Sequence, residues 1–245
     1  MKLNAMYNFK HKHNLKSIKW KWIILAFLLI VILYGGVYFF EELTKLPPQE
    51  AIKQSLFNTM HAQNYRFEVK ATRIYEGKET LLSDLHGEKG AQGIYLKGTI
   101  PLIKADVEIY HLGTTLYRRD PFTKGWVVVP TEGRVGIEQL ITELNPLGVF
   151  NFPEENLDVK YVGVERVQGK KCRVYEIMTR GENRYLQLFW QDFNYIIWID
   201  RKEGLIRQAQ ISAEHRDDSQ YNLKLLVSFY DFNKEIELKP PIPTE

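Results

Sequence analysis

The chain of 245 residues contains one cysteine, Cys172. A single cysteine excludes an internal disulfide and any zinc or iron–sulfur site built from several cysteines. Gly and Pro, 16 and 10 residues, are scattered, which excludes collagen and low-complexity arrays. Cys172 lies in a predicted strand. There it is either a small buried core residue or, in an oxidising compartment, a free thiol or an intermolecular disulfide.

The sequence also lacks the short motifs of common enzymes. It has no Gly-x-Ser-x-Gly, no Walker-type loop and no Gly-x-Gly-x-x-Gly, so no nucleophile elbow or phosphate-binding loop is identified. His11 and His13 form the only close histidine pair, and none of the six histidines has a zinc-protease spacing. The acidic pairs at 154–155 and 217–218 are adjacent loop residues whose side chains point apart. We therefore predict a protein that is not an enzyme and that has no metal or cofactor.

Acidic residues are absent from the first 40 positions, which carry six lysines. Residues 41–245 then hold 27 basic and 30 acidic side chains, so this part of the chain is slightly acidic. A nucleic-acid-binding domain concentrates Lys and Arg on its folded part. The charge distribution therefore argues against nucleic acid as a partner.

Residues 22–40 form an uncharged run of 19 residues. As a helix it would be about 28 Å long, close to the ~30 Å hydrocarbon core of a bilayer. Lys19, Trp20, Lys21 and Trp22 flank one end with ammonium groups and interfacial indoles. Because basic residues stay in the cytoplasm, we predict a single-pass cell-membrane protein with its N-terminus inside.

A cleavable signal peptide is the alternative, but its apolar region is normally 7–15 residues and is followed by a small-x-small site. Gly35 and Gly36, inside the run, are the only small pair, and Leu33 and Tyr34 precede them, so a retained signal anchor is the better interpretation. The predicted organisation is a basic cytoplasmic tail (1–21), an anchor (22–40), a short linker (41–47) and an extracytoplasmic domain (48–245).

The extracytoplasmic domain is predicted to be mainly β with some α. Residues 48–60 read as a helix with proline in its first turn and Ile52, Leu56 and Met60 on one face. From residue 65 the apolar period changes to two, and about eleven short strands follow, as expected for an antiparallel sheet. One further helix is predicted where Ile137, Leu140, Ile141 and Leu144 fall at i, i+3, i+4 and i+7.

This order of elements resembles the bacterial lipoprotein- and lipid-carrier superfamily that includes LolA, LppX and LprG. The similar features are the helix running into the strand at 65–74, the helix at 137–144, the hairpin Trp198-Ile-Asp-Arg-Lys-Glu-Gly-Leu-Ile206 and the closing strand at 225–233. The resemblance, over about 48–243, implies a strongly curved, incompletely closed antiparallel half-barrel with two helices over its apolar concave face. It also implies binding of lipid or of a lipidated protein.

Apolar strand residues are the candidates for the lining of such a concavity. Two helices, each about 10 Å wide, do not fully cover a sheet of eleven strands, so a gap for an acyl chain is plausible; a filled core without a cavity is the alternative. The candidate lining residues are Phe67, Val69, Leu96, Val107, Ile109, Leu116, Trp126, Val128, Ile137, Leu140, Ile141, Leu144, Val159, Val174, Ile197, Ile199 and Leu226.

The predicted function is that of a membrane-anchored protein of the bacterial envelope whose cavity takes up acyl chains. The alternative is an envelope sensor or assembly factor whose half-barrel binds another protein and carries no lipid. The identity of the ligand and the oligomeric state are open at this stage.

Overall fold

A computed structural model describes residues 20, 22–32, 46–101, 104–131, 146–150, 152, 157–179 and 186–242. The chain divides into two compact units, Met1–Pro47 and Pro48–Glu245. In the first unit, residues 22–32 are helical, and the rest of the predicted anchor lies outside the described residues. None of the helices within the described residues is both long enough and apolar enough to cross a membrane.

The second unit begins with helix α1, Pro48–Met60, which confirms the helix predicted at 48–60. Pro48 fits the first turn because its missing N–H needs no partner there, and Glu50 complements the positive end of the helix. Of the three residues predicted to form the buried face of α1, Met60 does not belong to it, because its side chain is 57% exposed. The fully buried residues of α1 are Ala51, Ile52, Ser55 and Thr59.

Eleven strands follow within the described residues, as the period-two pattern predicts. Their bounds are β1 Tyr65–Tyr75, β2 Lys78–Gly90, β3 Gly93–Ile100, β4 Ala105–Leu112, β5 Thr115–Arg119, β6 Trp126–Pro130, β7 Asp158–Val167, β8 Lys170–Thr179, β9 Trp190–Asp200, β10 Ile206–His215 and β11 Tyr221–Tyr230. A 3₁₀ helix, Gly148–Phe150, precedes β7, and a four-residue helix α2, Leu186–Phe189, precedes β9. The predicted helix at 137–144 lies outside the described residues.

All eleven strands belong to one antiparallel sheet in the order β6-β5-β4-β3-β2-β1-β11-β10-β9-β8-β7. Strands adjacent in sequence pair with each other, except for β6 and β7, and β1 pairs with β11 in the middle of the sheet. The two remaining edges are β6 and β7, so the sheet is open, as predicted. The central β1–β11 pair divides it into an N-terminal half, β1–β6, and a C-terminal half, β7–β11.

One side of the sheet, here called the covered face, is the side on which α1 packs. Because direct cross-strand partners point the same way, the register assigns every strand residue to this face or to the opposite, outer face. Ile197 shows the assignment: it pairs with Tyr175 and Ala209, and all three are buried in the core cluster that contains Ile52 of α1.

Asp200 and Gly204 form the turn of the hairpin between β9 and β10, which the sequence analysis singled out. The Asp200 carboxylate accepts hydrogen bonds from the backbone N–H groups of Lys202 at 2.8 Å and Glu203 at 3.2 Å. Gly204 has φ +63°, a conformation that glycine adopts without steric cost. Asp200 therefore closes the turn and Gly204 lets the chain reverse.

Side-chain hydrogen bonds hold α1 across the C-terminal half. At its beginning, Gln49 Nε2 donates to the carbonyl of Leu157, directly before β7. At its end, Thr59 Oγ1 accepts from the buried N–H of Ile206 at 3.0 Å, at the start of β10. Lys89 of β2 donates to the carbonyl of Ala62 at 2.9 Å, just beyond the last turn. The helix is thus fixed at both of its ends.

Candidate functional site

The covered face of the C-terminal half is a closed hydrophobic core. Helix α1 packs against β7 and β10, and the 3₁₀ helix adds Phe150. Phe152, beyond the 3₁₀ helix, meets the Tyr195 ring edge-on, with 4.9 Å between the ring centroids. The inward residues of the central strands are almost completely inaccessible. They include Tyr175, Ile177, Tyr195, Ile197, Ala209, Ile211, Leu225 and Val227, none more than 8% exposed.

The covered face of the N-terminal half carries a second set of apolar residues in two cross-strand rows. One row runs Phe67–Gly87–Leu96–Ile109, and the next runs Val69–Leu85–Gly98–Val107. Phe67 and Leu96 are buried, whereas Val69, Leu85, Val107 and Ile109 are only partly buried. We call the set Val69, Leu85, Ile94, Leu96, Val107, Ile109 and Leu116 the apolar surface.

Two glycines shape the apolar surface. A Cβ added at Gly87 would lie 2.4 Å from the Phe67 ring, and one at Gly98 would lie 2.8 Å from the Leu85 side chain. Phe67 and Leu85 therefore lean into positions that a side chain would otherwise fill. Because large side chains alternate with glycines, the apolar surface is uneven rather than flat.

Lys89, which pairs with Ile94, and Arg118, which pairs with Ile109, are charged residues of the same face. His111 is a further titratable group among these residues. It pairs with Ile94 on one side and Leu116 on the other. Burial lowers the pKa of His111 below that of an imidazole in water, so the ring is neutral at neutral pH. A neutral imidazole at this position is compatible with an apolar ligand.

The structure brings six of the predicted lining residues together around the apolar surface: Phe67, Val69, Leu96, Val107, Ile109 and Leu116. Val159, Ile197 and Ile199 also lie on the covered face, but in the C-terminal half. Ile137, Leu140, Ile141 and Leu144 lie outside the described residues.

Four predicted lining residues point the other way. Trp126 pairs with Arg119, and Val128 pairs with Tyr117, on the outer face. Their strand has the sequence Trp-Val-Val-Val-Pro, so apolar residues lie on both of its sides. The alternation pattern therefore does not indicate which side faces the core. Val174 and Leu226 also lie on the outer face, since the covered-face positions beside them are Tyr175 and Val227.

The outer face of the N-terminal half explains where Trp126 belongs. The centroid of its ring lies 5.7 Å from that of Tyr110, and the Tyr110 and Tyr95 ring centroids are 4.4 Å apart. Glu108 accepts from the Tyr95 hydroxyl and from Arg119 at 2.7 Å. Burial tends to raise the pKa of Glu108, but these donors outweigh it and hold that pKa below the usual value. This cluster is aromatic and charge-paired rather than a lining for a hydrocarbon chain.

Three residues of the apolar surface and its border were not among the predicted lining residues: Leu85, Ile94 and His111. Ile94 lies two positions before Leu96 in β3, so strict alternation indicates it. Leu85 follows the bulge in the β1–β2 pairing at Ala71/Thr72, which shifts the parity of β2 and hides its face from sequence patterns.

Two cavities are formed by described residues of the outer face. One, of about 440 Å³, is bordered by Lys97, Glu108, Arg119 and Lys124, and the other, of about 820 Å³, by Glu165, Trp198, Arg207 and Tyr230. Many of these charges are paired with each other, as in the 3.3 Å contact of Lys124 with Asp106. Their polar borders do not suit an acyl chain.

Cys172 lies beneath the outer face in a small cluster with Val167, Val174 and Trp198, and it is completely buried. Burial raises the pKa of its thiol, which keeps the thiol protonated and unreactive. The default interpretation of Cys172 as a small core residue agrees with this position.

The chain matches no protein-family model and no curated protein. Among solved structures it is similar to the lipoprotein LppX of Mycobacterium tuberculosis, with 13% identity, a TM-score of 0.52 and coverage of 78% of this chain and 97% of LppX. It is also similar to LprF from Mycobacterium bovis, with 12% identity, a TM-score of 0.51 and coverage of 80% and 97%. A LolA superfamily protein from Nitrosomonas europaea aligns with 12% identity, a TM-score of 0.34 and coverage of 80% and 96%.

Sequence identities of 12–13% support a shared fold and no conclusion about function. The alignments cover 97% of LppX and 97% of LprF, so the shared fold extends over nearly the whole of each. The chain therefore has the fold of the lipoprotein LppX and of LprF, which confirms the fold that the resemblance in the sequence implied.

Proposed function

We propose that the domain 48–245 is an extracytoplasmic lipid- or lipoprotein-binding domain that holds acyl chains against the apolar surface. The observation that carries this proposal is the incomplete burial of Val69, Leu85, Val107 and Ile109, four inward-facing apolar residues on neighbouring strands. Five strands at ~4.8 Å spacing make the surface about 20 Å wide.

The driving force is removal of hydrocarbon from water. Each buried CH₂ of an acyl chain contributes ~0.8 kcal/mol before ordering costs. The partly exposed side chains of the apolar surface gain further burial from the same contact. Polar groups at the rim then meet the headgroup. The resemblance to lipid carriers supports this function independently of the surface itself.

We also propose that the domain is attached to the cell membrane by residues 22–40, with 41–245 outside the cytoplasm. Support comes from the uncharged run of 19 residues and from the lysines and tryptophans before it. Protease added to spheroplasts should digest the domain and spare the tail. A protected domain would contradict this orientation.

Paired valine-to-tryptophan variants of the full chain test lipid binding. Val107 is on the apolar surface, and Val128 is on the outer face of a nearby strand, 45% exposed. Val107→Trp should occupy the volume of the ligand, so lipid detected by mass spectrometry of the detergent-purified protein should be lost. Val128→Trp should keep the lipid, and both variants should melt at the wild-type temperature.

The alternatives give different results. If the wild type carries no lipid and Val107→Trp melts several degrees lower, the position is ordinary core, because overpacking costs about 1–3 kcal/mol. If the wild type carries no lipid and both variants are unchanged, the envelope sensor or assembly factor without a lipid site is the better description.

A further inference from the structure

Four exposed large apolar side chains of the described residues lie at one end of the sheet. This end, here called the Pro48 end, is formed by the last residues of β1, β3, β5, β8 and β10 and the first residues of their partners. Helix α1 begins there, because Gln49 is bonded to Leu157, which directly precedes the first residue of β7. The exposed residues at this end are Phe122 at 91%, Met178 at 61%, Leu188 at 65% and Phe189 at 59%.

Phe122 occupies the tip of the β5–β6 hairpin, and the backbone holds it outward. The Asp120 carboxylate accepts from the N–H groups of Phe122 at 2.9 Å and Thr123 at 2.8 Å. The Asp120 N–H donates to the carbonyl of Gly125 at 2.8 Å, which closes the loop. Because these hydrogen bonds hold the turn in one conformation, the 91% exposure of Phe122 is a fixed feature of the turn. We interpret it as a contact point for a partner.

Three of the exposed residues project from the opposite half of the sheet. Met178 is the second-to-last residue of β8. Leu188 and Phe189 belong to α2, and the N–H of Arg216 donates to the Phe189 carbonyl at 2.9 Å, which ties α2 to the loop after β10. Apolar groups therefore stand on both halves of the sheet at the same end.

We propose that the Pro48 end rests on the lipid bilayer, with Phe122, Leu188 and Phe189 inserted at its surface. This inference depends on the proposed anchor: the seven linker residues 41–47 span at most about 25 Å, and they lead directly to Pro48. Large apolar residues exposed at separate points of one end match a broad apolar medium better than a single protein groove.

The opposite end offers a matched position. Phe57, in the last turns of α1, is 60% exposed, and its ring stacks on His61 at 3.9 Å. The neighbouring Asn58 bonds to Gly204 in the β9–β10 hairpin, so Phe57 lies at the end of the sheet away from Pro48. A probe at this position is equally accessible but should face water.

The test places an environment-sensitive nitrobenzoxadiazole (NBD) label on single cysteines in full-length protein carrying Cys172→Ala. The labelled variants are Phe122→Cys, Leu188→Cys and the control Phe57→Cys, each reconstituted in phosphatidylcholine–phosphatidylglycerol vesicles. The first two labels should show blue-shifted emission and lose most of their fluorescence when doxyl-labelled phosphatidylcholine is included. The label at position 57 should show neither effect.

Labels at 122 and 188 that are as water-exposed as the one at 57 would overturn the proposal, as would stronger quenching at 57. Protein that fails to float with the vesicles would refute the anchor and this orientation together. Lipid carried on the apolar surface is measured separately by mass spectrometry, so an unquenched label on lipid-loaded protein counts against the orientation alone.

Discussion

The two halves of the sheet have the same strand pairing and similar alternating sequences, but they differ in what lies over their covered faces. In the C-terminal half, α1 and the 3₁₀ segment bury the inward side chains, and Ile177 and Ile197 have no exposure. In the N-terminal half, the equivalent positions Val107 and Ile109 are partly open. One half is thus a closed core, whereas the other leaves part of its inward apolar side chains exposed, where we propose that a ligand binds.

The largest expected effect on stability comes from two isoleucine-to-alanine substitutions, one in each half of the sheet. Ile177→Ala should lower the free energy of unfolding by about 2–5 kcal/mol, because it leaves a cavity in a closed core. Ile109→Ala should cost only about 1 kcal/mol, since part of the side chain is already in contact with solvent. Guanidinium unfolding of the two detergent-purified variants measures both values. Equal losses would mean that both halves are closed cores.

A smaller effect is expected at the buried ion pair that supports the C-terminal half. Asp200 is 3% exposed and lies 3.3 Å from Arg207. Burial alone would raise the pKa of Asp200, but the N–H groups of Lys202 and Glu203 and the charge of Arg207 hold it below the usual value. Asp200→Asn should therefore cost about 2–3 kcal/mol at neutral pH.

The sign of the pH dependence follows from the direction of that pKa shift. The stabilisation is complete above the carboxyl pKa of the unfolded chain and is lost as the pH falls through the lower, folded-state pKa. The stability difference between wild type and Asp200→Asn should therefore shrink in acid. Asp106→Asn is the control, because this carboxylate is 71% exposed and its contact with Lys124 contributes little. A difference that grows in acid would contradict the assignment.

The smallest effect concerns the attachment of α1. Thr59→Val keeps the shape of the side chain but removes the oxygen that accepts the buried N–H of Ile206. The unpaired donor should cost about 1–2 kcal/mol, measured by thermal or guanidinium unfolding. Thr80→Val, on the exposed part of β2, is the control and should be neutral. No difference between the two variants would mean that α1 contributes little to the closed half.

Much of the fold could be predicted because it depends on local patterns. The helix at 48–60, the period-two strands and the Asp200–Gly204 turn follow from proline position, alternation and turn chemistry, which act over a few residues. Five of the seven residues of the apolar surface were predicted for the same reason. Strict alternation failed at β2, where a bulge shifts the parity, and at β6, where every residue of Trp126–Val129 is apolar.

The sequence by itself determined the antiparallel architecture, the absence of enzyme motifs and the charge asymmetry that predicts an anchor. Only the tertiary structure decided that β1 pairs with β11, that Trp126 joins Tyr110 on the outer face, and that α1 covers β7 and β10 while Val107 and Ile109 stay partly open. The physical reason is that alternation marks a residue as apolar on one side of a strand, whereas its burial depends on which distant segment packs over that side.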